Sequence, residues 1–168
     1  AVQMAKKVDH EVELLSEVAK AIAESLNLDK TLEAVLNSLE THLKLQRGTI
    51  ALLDQDAELI SIRVAHSISD ESKKLGSYRI GEGITGTVVA NGKEVVVPDI
   101  SKDPRFLDKT QTRQPAKGEK IGFVCVPIKL EAGTIGTISA DRVTKSNEDL
   151  ASVVHLLNII GTMVGQAI

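Results

Sequence analysis

Apolar positions Val8, Val12, Leu15, Ala19, Ile22 and Leu26 recur at alternating spacings of four and three, which predicts a helix with a narrow, heptad-like seam. A second helix is expected from about Asp29, whose carboxylate can cap the run KTLEAVLNSLETHLKL, with Leu32, Val35, Leu36, Leu39 and Leu43 on one face. After Gly48 the pattern changes to short runs rich in β-branched residues. TIALLD and ELISIRVAHS, separated by QDA, predict a hairpin; EVVVP predicts a further strand; KIGFVCVPIKL and TIGTISADR, flanking EAG, predict a second and longer hairpin. Ser146-Asn147-Glu148-Asp149 is a start signal for a closing helix in which Leu150, Val153, Val154, Leu157, Ile160, Val164 and Ile168 form a broad apolar face. The order is helix, helix, hairpin, short helix, strand, hairpin, helix. That is α+β with an antiparallel sheet, without the regular strand–helix alternation of a doubly wound fold.

Between Asp99 and Lys120 neither period persists, and a loop of that length in a small domain is expected to be a lid, a binding loop or disordered. Ahead of it, RIGEGITGTV carries glycines at 81, 83 and 86 in the spacing of a dinucleotide-binding loop. Context argues against that reading. Only SYRI and a polar run precede Gly81, and the turn pair Asn91-Gly92 arrives before a crossover helix of about ten to twelve residues can be completed. The expectation is a tight turn with positive φ at Gly81 and Gly83, with Gly86 letting a short helix lie close against the sheet.

A chain of 168 residues supports one domain over residues 1–168, with a leading helix in 1–27 and a closing helix in 146–168. The net charge of −3 gives no electrostatic reason to expect direct contact with nucleic acid or an acidic membrane. Leu150–Ile168 has the length of a membrane span, but His155, Asn158 and Gln166 would each need partners in lipid, so no membrane segment is expected. The single cysteine, Cys125, excludes an internal disulfide or a cysteine-based metal cage and fits a reducing, cytoplasmic setting. His10, His42, His66 and His155 show no ligand spacing, so no metal is expected.

The run YRIGEGITGTVVANGKEVVVPDISKDPRF, followed by GFVCVPIKL and IGTISADR, strongly resembles the GAF domain, and most of all the N-terminal regulatory GAF domain of NifA-type bacterial transcription activators. Glu94, where such relatives often carry proline, and the hairpin tip EAGT are small departures. The resemblance implies a PAS-like fold: a central antiparallel sheet with the terminal helices on one face and, on the other, a ligand pocket covered by loops and short helices. It also implies a small anionic metabolite such as 2-oxoglutarate as ligand, a homodimer, and the other domains of a transcription activator as partners. No cofactor is implied.

The ligand-binding residues expected on that basis are Arg79, Ile84, Thr85, Asp99, Ile100, Arg105, Phe106, Phe123 and Cys125. The dimer interface is expected to use Val8, Val12, Leu15, Ile22, Leu157 and Val164. A dianion removed from water needs paired positive charge, and arginine's planar fork matches carboxylates, which singles out Arg79 and Arg105. Thr85 and the amides after Gly83 would present a short helix N-terminus to a carboxylate. Plainer roles stand beside these: Arg105 as the partner of Asp99 or Asp103, Phe106 and Phe123 as core plugs, and Cys125 as a small buried hydrophobe.

No catalysis is expected. The free methionine sulfoxide reductases share the GAF fold, but thiol cycling needs more than one cysteine, and neither a nucleophile elbow nor a Walker lysine is present. The alternatives are a ligand-free dimerisation and relay module, or a nonhaem-iron nitric oxide sensor with Asp99, Cys125 and Asp141 as imaginable ligands. Cyclic-nucleotide binding is disfavoured because the signature of those GAF domains is not present in order.

Overall fold

In a computed structural model of the chain, which describes residues 2–66, 68–107, 118–144 and 150–168, helices α1 (Val2–Glu24) and α2 (Leu28–Leu43) precede the hairpin of β1 (Gln46–Asp54) and β2 (Leu59–Ala65). A short helix α3 (Asp70–Lys74) and a two-residue strand β3 (Tyr78–Arg79) follow, and then α4 (Gly83–Asn91) and β4 (Val95–Val97). After a 3₁₀ turn at Ile100–Lys102 the chain completes β5 (Lys120–Leu130), β6 (Gly133–Thr144) and α5 (Ala151–Ala167). The six strands form one sheet in the order β3-β2-β1-β6-β5-β4, with every neighbouring pair antiparallel.

Two helix starts differ from expectation. The cap of α2 is Asn27, whose extended backbone lets its side chain accept the Lys30 amide. Asp29 already lies inside the first turn, and its carboxylate instead accepts Arg63 Nε–H at 2.7 Å. Leu150 occupies the cap position of α5 without a side-chain cap bond, and the expected signal at residues 146–149 lies outside the described residues. Leu26, counted in the α1 seam, falls beyond the helix and is exposed.

The alternation of side chains along a strand divides this sheet into two chemically different faces. Ile50 of β1, Val124, Val126 and Ile128 of β5, and Ile138 and Ala140 of β6 point into the main core with Leu14, Leu32, Leu36, Leu157 and Ile160 of the three long helices. Thr49 and Ala51, Phe123 and Cys125, and Thr137, Ser139 and Asp141 alternate with them, and α4 and the 3₁₀ turn cover that second face. The apolar stripes of α1, α2 and α5 therefore have one side of the sheet, and the other is left for a lighter cap. No helix among the described residues is long and apolar enough to cross a membrane.

Candidate functional site

The GEGITG run builds the cap. Gly81 (φ 88°) and Gly83 (φ 61°) take the left-handed backbone that glycine adopts without strain, and the Glu82 carboxylate between them accepts the Arg79 amide. Gly81 N–H then donates to the Gly86 carbonyl at 2.8 Å. A Cβ at Gly86 would stand 2.3 Å from the carbonyl oxygen of Arg79, the last residue of β3, and 3.0 Å from the Gly81 amide nitrogen, so this glycine lets α4 lie close against the edge strand and the turn that follows it. An antiparallel sheet with a nine-residue α4 leaves no βαβ unit for a dinucleotide.

Beneath α4 lies a cavity of about 30 Å³. Its floor is the second face of the sheet: Thr49 and Ala51 from β1, Ile62 from β2, Phe123 from β5, Thr137 and Ser139 from β6. Tyr78, Ile84 and Thr85, together with Ile68, Phe106 and Leu107, complete its walls. Phe106 meets Phe123 edge-on, with ring centroids 4.9 Å apart at 76°. The Thr49 and Ser139 hydroxyls, both buried, are hydrogen-bonded to each other. Five hydroxyl-bearing residues therefore border the hollow, and no lysine or arginine does among the described residues.

Of the residues expected to bind a ligand, Ile84, Thr85, Phe106 and Phe123 stand in these walls. Cys125 lies next to them in a cluster with Ile84, Val88 and Phe123; burial pushes its thiol up to about 12, against smaller opposing contributions from the hydroxyls of Thr137 and Thr85. Ile100 packs on the same cluster. Arg79 is exposed at the outer edge of the sheet beside Glu58 and Ile80, outside the cavity. Arg105 forks onto Asp103, Nε to Oδ1 at 3.1 Å and Nη2 to Oδ2 at 2.8 Å, which holds the Asp103 carboxyl below the usual range. Asp99 opens the 3₁₀ turn, accepting both the Ser101 hydroxyl at 2.7 Å and the Ser101 amide, bonds that lower its pKa.

Neither arginine is thus among the walls. What sequence reasoning missed is the sheet floor, above all Thr49, Thr137 and Ser139. Its signal was the period-two recurrence of Thr137, Ser139 and Asp141 in a strand whose intervening positions are Ile138 and Ala140.

The dimer residues separate as well. Val8 and Val12 are 50% and 57% exposed, and Leu15 and Ile22 are partly buried against the main core. Leu157 and Val164 are fully buried within the single chain, because α5 spends its apolar face on β5. Asp99, Cys125 and Asp141 do not converge on one point; Asp141 instead faces the Arg47 guanidinium at 3.8 Å. Packing of α1 on α2 brings His10 and His42 together despite their lack of ligand spacing in the sequence, with Glu13 in reach of both.

This sheet carries helices on one face and a small capped hollow on the other, and residues 27–168 match the GAF domain model; the chain belongs to the GAF domain family. It is 38% identical over 151 residues to the nitrogen fixation protein AnfA of Azotobacter vinelandii, covering 90% of this chain and 28% of that protein. To the Nif-specific regulatory protein of Herbaspirillum seropedicae it is 35% identical over 164 residues, covering 97% of this chain and 30% of that protein. The chain thus spans under a third of the length of these relatives. Among solved structures it is similar to the nlh2 GAF domain of A. aeolicus in an inactive state (TM-score 0.83, 23% identity, 96% of each chain). It also shares its fold with free methionine-R-sulfoxide reductase of Neisseria meningitidis (TM-score 0.75, 15% identity, 94% of this chain and 87% of that one).

Proposed function

We propose that the chain is a non-catalytic sensory module of a Nif-type transcription activator, in which occupancy of the capped hollow is relayed to the terminal helices. The observation that carries this reading is the hollow itself, where the buried residues Thr49, Thr85, Thr137 and Ser139 share the lining with Phe106 and Leu107 of the loop that follows the 3₁₀ turn. As it stands it has room for about two water molecules, at roughly 10–15 Å³ each. A larger guest enters by displacing Phe106 and Leu107, and that displacement is the signal. The relay is short, because β5 presents Phe123 to the cavity, with Cys125 beside it on the same face, and Val124 and Val126 to the main core that α5 shares. A reductase-like activity is disfavoured, since a thiol held at about 12 is not a nucleophile near neutral pH.

The walls favour a small guest that hydrogen-bonds without a net charge, because a buried dianion would meet no counter-charge among the described wall residues. A second reading keeps 2-oxoglutarate. Arg105 adjoins Phe106 and would be carried with it, exchanging Asp103 for a carboxylate of the ligand. Calorimetric melting with acetamide, hydroxyacetone, succinate and 2-oxoglutarate separates the two. Stabilisation of about 2.7 kcal/mol at a hundredfold excess over the dissociation constant is expected for a true guest. A gain from 2-oxoglutarate that disappears in Arg105→Gln selects the second reading, and no gain from any small molecule defeats both. The exposed Val8–Val12 stripe supports a second copy as partner, and the likeness to a Nif-specific regulatory protein supports contact with the rest of a cytoplasmic regulator.

A further inference from the structure

The geometry points to a binding site for a divalent first-row transition metal, such as Zn²⁺, formed by His10 and Glu13 of α1 and His42 of α2. One ligand atom from each of the three lies within 4.8 Å of the others. Metal–ligand distances of about 2.0–2.1 Å in a tetrahedral site place ligand atoms about 3.3 Å apart. His10 and Glu13 are exposed, so the present spacing would close to that value through side chains at the surface.

The third ligand is already held. The His42 side chain is only 7% exposed, and its Nε2 lies 2.9 Å from Glu17 Oε2, the same oxygen that accepts the Ser38 hydroxyl at 3.0 Å. A carboxylate against the imidazole steadies the ring, as outer partners of metal-bound histidine do. His10 and Glu13 are three apart on α1 and share a helix face, while His42 approaches from the neighbouring helix. Two imidazoles and one carboxylate select Zn²⁺, Ni²⁺ or Cu²⁺ over Mg²⁺ or Ca²⁺. Three protein ligands leave a coordination position for water, and both histidines border an open groove of about 640 Å³ from which it can come.

The site has a mechanical consequence. The fully buried residues of α1 are Leu14 and Val18, so the helix ahead of Leu14 has little apolar contact with the rest of the chain. A metal bridging residues 10 and 13 to α2 would pin that half-helix in place, fixing the direction of the Val8–Val12 face.

The test titrates Zn²⁺ into the untagged full chain by calorimetry and follows amide hydrogen exchange of residues 2–12. One equivalent should bind, with slower exchange over residues 2–12. His10→Ala and Glu13→Gln, both at exposed positions, should each weaken binding at least tenfold while leaving the metal-free melting temperature unchanged. His155→Ala, on exposed α5 surface, should bind like the parent. Absence of stoichiometric binding, or equal affinity in the parent and His10→Ala, would overturn the proposal.

Discussion

Cys125 shows how completely its environment decides what a side chain does. At 0% exposure, with the Thr85 and Thr137 hydroxyls beside it, the thiol keeps its proton far above the ordinary value of 9.0. Iodoacetamide at pH 8 should leave it unmodified in the folded protein and alkylate it in urea, as mass spectrometry will read. The same burial makes stability sensitive to alkali. Between 9.0 and about 12 the unfolded thiol has lost a proton that the folded one retains, so unfolding releases a proton and stability falls as pH rises through that window. The slope is about 1.4 kcal/mol per pH unit, and the contribution is fully present below pH 9. Urea melts of the parent and Cys125→Ala at pH 8 and pH 10 should diverge by that term. The Thr49–Ser139 pair behaves differently. Replacing one partner strands a buried hydroxyl at a cost of about 1–3 kcal/mol, whereas Thr49→Val with Ser139→Ala together should cost less than the sum, a coupling that a double-mutant cycle on urea melts measures.

The contact of α5 with β5 depends on two glycines one turn apart. A Cβ at Gly161 would stand 2.8 Å from the Pro127 carbonyl oxygen, and one at Gly165 2.8 Å from that of Lys129. Gly161→Ala gains helix propensity of about 1 kcal/mol on α5 but forces the helix off a backbone that cannot yield. A net loss of about 1–3 kcal/mol in urea denaturation is expected; a stabilised Gly161→Ala would mean that the helix floats free of the sheet. The main elements were legible in the sequence, since heptad spacing on α1 and short β-branched runs around QDA and EAG are local signals. The cap of α2 is Asn27 and not the expected Asp29 because asparagine and aspartate are both good caps, and only backbone geometry separates the two positions. An apolar face does not state which surface it covers: Leu157 and Val164, expected at a dimer interface, are buried in the main core of the single chain. Charge and a place in the segments expected around the cavity single out Arg79 and Arg105 but do not say where their side chains point, while the hydroxyl floor and the His10–His42 approach arise from strand register and helix packing between distant segments.

Taken as a body, the molecule is a sheet with a heavy helical side and a light capped side, and α1 leaves Val2, Met4, Val8 and Val12 exposed. If Val8 and Val12 join two copies, light scattering at micromolar concentration should report a dimer, and Val8→Glu with Val12→Glu should give a monomer whose circular dichroism is unchanged. A monomeric parent would remove the dimer. Sensing is a separate matter and rests on whether the space between α4 and the sheet opens to a guest. Amide spectra of the ¹⁵N-labelled chain, titrated with the small molecule that raises its melting temperature most, address this directly. The expected result is saturable shifts at Thr49, Thr85, Thr137 and Ser139 and across residues 100–107, extending to the α5 residues packed on β5. Shifts confined to the outer groove or to exposed loops, with the amides of the hydroxyl floor unmoved, would contradict it.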